Sequence, residues 1–245
     1  METQPSWPSG IAALDAVIAE AIGRGHRKDP VAPRSGGPAG NARLTSWAGL
    51  ALLVVIVAEL VTLLNVSGLI RWHVGIGTVL TVLALLKTAS TGWRIVRYYT
   101  GAATYGAAGP PPTVLRLLGP LVIVSTLGVL GSGYALTVIG QRASESTLFA
   151  VLGYRVSPLT LHQGFFILFA VVTGLHLLAR FTPAALLVSG RAAPAAVPGR
   201  PGRIVVLVAT ALAGLVAVLL LVPTVSGWHR HDRFHVRTGH GYVSR

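Results

Sequence analysis

Residues 46–69, SWAGLALLVVIVAELVTLLNVSGL, carry one charged side chain, Glu59, in a run of twenty-four. About twenty predominantly apolar residues suffice for a helix to cross a hydrocarbon core of roughly 30 Å. Such windows recur near 44–68, 72–96, 114–139, 159–180 and 204–225. Backbone polar groups in lipid must be satisfied within the segment, which turns each window into a helix. Charged residues are 11% of the 245 positions and apolar residues 52%, whereas a soluble domain carries roughly a quarter charged. The expected fold is therefore an all-α membrane protein of five transmembrane helices. Helices one to four form an up-down four-helix bundle, and the fifth is peripheral.

The formal net charge of +13 follows topology rather than nucleic acid. With the N-terminus cytoplasmic, one side holds Arg24, Arg27, Lys28, Arg34, Arg43, Arg94, Arg97, Arg116, Arg180, Arg191, Arg200 and Arg203. The outer loops hold only Arg71, Arg142 and Arg155, with four more arginines in the C-terminal tail. That asymmetry is the positive-inside pattern of a multi-pass protein of the inner (cytoplasmic) membrane, with its C-terminus extracytoplasmic. The start, METQPSW, lacks a basic region followed by an apolar one, so the first span is expected to act as an uncleaved anchor. No cysteine is present, which excludes thiolate-held iron–sulfur clusters and covalently attached haem.

Four regions are expected. Residues 1–43 form a cytoplasmic segment, with an amphipathic helix over 9–23 capped by Ser9 and a basic, Gly/Pro-rich flexible linker over 24–43. The transmembrane bundle spans 44–181, and 182–225 hold a linker and the fifth helix. Residues 226–245 are a His/Arg-rich tail, solvated by default. His229, His231, His235 and His240, with Asp232, are weak surface metal candidates, since their spacing matches no closed site.

The fourth window, LTLHQGFFILFAVVTGLHLLARF, carries His162 and His176. Fourteen helical residues advance about 21 Å and turn roughly 1,400°, 40° short of four full turns, so both rings share one face. Ionisable groups inside spans are costly and mark functional positions. His73, in RWHVGIGT, opens the second span at the depth of His162. Imidazole is the usual axial ligand of protein haem, and two depth-matched histidines on different helices suit one haem b. Gly75, Gly77 and Gly164 beside them would admit a flat macrocycle, and Arg71 and Arg155 at the outer boundary would meet its propionates.

On these residues the chain resembles the four-helix haem b membrane subunits of bacterial cytochrome b561, nickel–iron hydrogenase and formate dehydrogenase, over about residues 44–181. The resemblance implies a haem-binding bundle, electron transfer to or from a quinone, and a dehydrogenase or other redox partner. This makes the chain an electron-transfer subunit rather than a stand-alone catalyst. Di-haem members place two histidines on the helix matching the fourth here and usually take another from the first, which has none in this chain. A looser likeness, carried by KTASTGWRIVRYYTG, links the chain to actinobacterial membrane proteins and implies no function.

Lys87 follows His73 by fourteen residues and would stand opposite His176 if their helices are antiparallel. Three readings stay open for it: a snorkelling cation, a partner of Glu59, or a ligand to a second haem with His176. His176 and Lys87 together suit a second haem, a proton site or a quinone site. Two other functions also stay open: a haem-free membrane anchor that recruits a partner through the N-terminal helix, and a small transporter or proton path using Glu59, Lys87 and His176.

Overall fold

The computed structural model describes residues 12, 15, 30–109, 113–189, 191, 197–226 and 228. The expected helix over 9–23, apart from Ala12 and Asp15, and nearly all of the histidine-rich tail lie outside them. The described chain is mostly helical. In order it forms α1 (Gly37–Thr62), a 3-10 turn (Leu63–Asn65), α2 (Val66–Tyr99), α3 (Ala103–Ala108) and α4 (Thr113–Ser144). Strands β1 (Phe149–Val151) and β2 (Tyr154–Val156) follow, then α5 (Pro158–Val188), α6 (Arg200–Leu221) and a 3-10 turn at Val222–Val225.

Four stretches are long and apolar enough to cross a membrane: Gly37–Tyr99, Leu117–Ser144, Pro158–Val188 and Arg200–Val225. The first, 63 residues long, folds back on itself. The Thr62 hydroxyl turns back to the Glu59 carbonyl at 2.6 Å. Asn65 then leaves helical geometry, and its side-chain oxygen accepts from the Gly68 N–H, starting α2 afresh. Beyond the turn the two halves run antiparallel. Thr62 meets His73 near the bend, Glu59 lies against Gly77, Gly49 lies against Lys87, and Asn41 donates to the Ser90 carbonyl at the far end.

α4 and α5 also run antiparallel: Gly133 faces His162 and Gly128 faces Phe165. A Cβ at Gly128 would enter the Phe165 ring, so the glycine fixes how closely these helices approach. α1 packs on α5, and α2 touches α4. α6 lies along α2, with Val218 and Val222 seated on Gly75. Inside the spans, small and hydroxyl-bearing residues (Ala48, Thr78, Ser90, Ser125) are buried, while Val54, Leu85, Leu178 and Leu220 are exposed. This inverts a soluble core, as expected where lipid rather than water bathes the outside.

Three expectations need correction. Of the linker expected over 24–43, the described residues from 30 onward form a turn at 33–35 and a helix from Gly37. Gly36, at φ 72°, lets this turn press against Pro198, and the Arg203 guanidinium closes that contact by donating to the Val197 and Pro198 carbonyls. α5 likewise runs through Pro183 to Val188, into the expected second linker. The chain is also not purely α-helical: β1 and β2 form an antiparallel hairpin with Phe149 opposite Val156. Its two-residue turn, Leu152–Gly153, has both φ angles positive. A leucine at such a position gives no sequence signal for this kind of turn.

Candidate functional site

His73 reaches its position from the first turns of α2, just beyond the irregular Leu69. His162 reaches its own from the start of α5, where Ser157 and Thr160 form a capping box behind Pro158. The ring centroids are 6.4 Å apart and the ring planes are 87° to one another.

The neighbours of each ring determine which nitrogen carries the proton. His73 Nδ1 lies 3.0 Å from Thr62 Oγ1 and 3.0 Å from Glu59 Oε1. The Thr62 hydroxyl gives its only proton to the Glu59 carbonyl, so toward the ring it accepts. A Glu59 carboxylate accepts as well. Nδ1 of His73 therefore carries the hydrogen. His162 repeats the logic on another helix. Its Nδ1 is 3.0 Å from Ser132 Oγ, and that hydroxyl donates to the Gly128 carbonyl at 2.6 Å. Both imidazoles are thus held as Nδ1–H tautomers with the lone pair on Nε2, the arrangement that orients a metal-binding histidine.

The spacing agrees. Two imidazoles that held one metal between them through Nε2 would have centroids about 6.3 Å apart, taking about 2.0–2.1 Å per bond and roughly 1.1 Å from nitrogen to ring centre. Among the described residues, no group of three or more His, Cys, Asp or Glu side chains forms a site for a bare ion. Two axial nitrogens are what a macrocyclic iron requires, because the macrocycle fills the other positions. His73 and His162 are the residues that would hold such a group.

The glycines divide differently from expectation. Gly75 is covered by Val218 and Val222 of α6, and Gly77 makes room for the Glu59 carboxylate. Neither opens toward the histidines in the expected way, because the side chains of α6 and α1 take those spaces. Gly133 is the one that approaches His162: a Cβ there would stand 3.2 Å from Cε1. Gly164 has open space beside it. Arg71 and Arg155 are exposed, Arg155 on β2 opposite Ala150.

Fourteen residues further along α2 and α5 lies an inner level. α2 and α5 run parallel rather than antiparallel: His73 pairs with His162, and fourteen residues on along both helices Lys87 lies near His176. Arg180, one turn beyond His176, bears on both. The Lys87 ammonium sits in the gap left by Gly49 of α1. Lys87 is not the partner of Glu59. In the antiparallel α1–α2 pair it stands level with Gly49, ten residues or about 15 Å from Glu59, whose carboxylate goes to His73. His176 Nδ1 and Thr173 Oγ1 are buried without a hydrogen-bond partner. Between the two levels, the Tyr134 hydroxyl donates to Thr81 Oγ1 at 2.9 Å.

Thr62, Ser132 and Tyr134 escaped the reading of the sequence. Serine and threonine are frequent throughout these spans, and only three-dimensional contact separates those that back a histidine from those that bond to their own helix. Comparison with protein-family models, curated proteins and solved structures finds no match of any kind.

Proposed function

We propose that the chain is a membrane-embedded b-type cytochrome that moves electrons between a redox partner and the quinone pool. It crosses the inner membrane five times, with its N-terminus cytoplasmic. The observation that carries the reading is the pair His73 and His162, both fixed as Nδ1–H tautomers and 6.4 Å apart between ring centres. Counting α1 and α2 separately supports five crossings, since their antiparallel contacts run from Asn41–Ser90 to Thr62–His73.

In this reading His73 and His162 are the residues that would hold one haem b. When bound, haem supplies one-electron exchange at its iron. The protein holds both rings rigidly through Glu59, Thr62 and Ser132, which limits rearrangement of the ligands. Lys87 and His176 belong to a separate polar level that handles protons or a quinone headgroup.

The test is a reduced-minus-oxidised visible spectrum of detergent-purified full-length protein, with haem counted as its pyridine haemochrome. One b-type haem per chain is expected, abolished in both His73→Ala and His162→Ala. Full haem in either variant would overturn the ligand assignment.

One observation favours a second reading. The Tyr134–Thr81 hydrogen bond stands at mid-depth between the two polar levels, as a proton path through Glu59, Lys87 and His176 would want. That reading expects a protein without haem whose proton flux into vesicles is lost in Lys87→Met.

A further inference from the structure

α1 contributes no histidine to the outer level. It contributes Glu59, and the two rings are therefore not held alike. The His162 ring rests on neutral groups: the Ser132 hydroxyl at Nδ1 and, close to the ring, the Val129 carbonyl. The Nδ1–H of His73 rests on the neutral Thr62 hydroxyl and on a carboxylate oxygen. Glu59 is largely buried, with its side chain 16% exposed, and the His73 side chain is 20% exposed. Its second oxygen, Oε2, is buried without a hydrogen-bond partner, which concentrates the carboxylate's stabilisation on the contact with His73. A carboxylate in so apolar a setting is costly unless charge-assisted hydrogen bonds offset its desolvation. Gly77 leaves the space that lets it approach, since a Cβ there would lie 3.5 Å from Oε1. Lys87 stands about 15 Å along the bundle from Glu59.

We infer that Glu59 is a positioning residue that makes His73 the more strongly donating of the two histidines that would hold the haem, keeping the reduction potential of the site below that of a pair backed by neutral groups alone. A carboxylate behind a ligating imidazole draws its Nδ1 proton outward and raises the basicity of Nε2. A more basic axial ligand favours the oxidised iron, and hydrogen bonding behind the ligand is one of the protein's levers on potential. This inference rests on the haem reading above.

The experiment is a potentiometric titration of the full-length, haem-loaded protein with low-temperature electron paramagnetic resonance of the oxidised form. Wild type, Glu59→Gln, Glu59→Asp and Ser132→Ala are compared at equal haem content. Glu59→Gln keeps an oxygen acceptor for Nδ1 but removes the charge. It is expected to keep one haem per chain, raise the midpoint potential and shift the low-spin g values, while Glu59→Asp stays nearer wild type in both and Ser132→Ala moves them less than Glu59→Gln. An unchanged potential in Glu59→Gln would overturn the inference. So would a raised potential with unchanged g values, which would mean a through-space charge effect without altered ligand donation. Loss of haem from both Glu59 variants would assign the carboxylate to holding the ligand and overturn the tuning role. A colourless wild type, by contrast, would remove the haem reading itself.

Discussion

α2 and α5 each carry two ionisable side chains fourteen residues apart, and the two levels this creates differ in what stands behind the rings. At the outer level each imidazole has an acceptor on Nδ1: Thr62 and Glu59 for His73, Ser132 for His162. At the inner level His176 faces Lys87 rather than a second histidine, and its Nδ1 has no partner. The two helices and the approximate spacing are shared, and each level has one histidine on α5. What stands behind Nδ1 separates His162, which has an acceptor there, from His176, which is buried without one. A histidine inside a membrane is therefore best judged by the atom its second nitrogen touches.

The largest effects that could break this contrast come from removing the rings themselves. His162→Ala should abolish haem, whereas His176→Ala on the same helix should leave it at wild-type stoichiometry, counted by pyridine haemochrome. Equal losses would mean that the two levels are not distinct. Next in size is Ser132→Ala, which leaves the His162 N–H without its hydroxyl acceptor. Loss of a group that backs a metal-binding histidine typically costs 10–100-fold in metal affinity. Haem transfer to apomyoglobin should accordingly run faster from this variant, and an unchanged rate would show that Ser132 does not orient the ring.

Gly128→Ala tests the scaffold rather than the site. Its methyl group would meet the Phe165 ring, and overpacking of this kind costs about 1–3 kcal/mol. The midpoint of thermal unfolding in detergent should fall, and because Phe165 lies one turn beyond His162, haem retention should fall with it. A midpoint equal to wild type would mean that α4 and α5 can separate without penalty.

How much of this was legible in the sequence depends on which interactions are local. Apolar windows placed the helices because the length and hydropathy of a span are properties of one segment. The ends were less legible: α1 starts at Gly37 because of the contact that Gly36 makes with Pro198, some 160 residues away in the chain. His73, His162, His176 and Lys87 stood out because ionisable residues are rare in lipid. Their partners did not, since Thr62 and Ser132 resemble every other hydroxyl in the spans. Glu59 is visible too, but the sequence alone leaves it open as a partner for Lys87. The antiparallel register of α1 and α2 decides that question, and a turn built from Thr62 and Asn65 sets the register.

The smallest expected effect concerns the link between the two levels. The Tyr134 hydroxyl donates to Thr81 Oγ1, which itself donates to the Gly77 carbonyl. Thr81 therefore accepts from Tyr134 and cannot also donate to it. Tyr134→Phe removes one neutral hydrogen bond and leaves Thr81 bonded to its own helix, so the loss in stability should be about 0.5–1.5 kcal/mol. If the two levels work independently, the haem content and reduction potential of this variant should match wild type while its unfolding midpoint drops slightly. A shift in potential as large as that of Glu59→Gln would show instead that mid-membrane hydrogen bonding couples the levels, and the contrast between them would have to be redrawn as a single connected site.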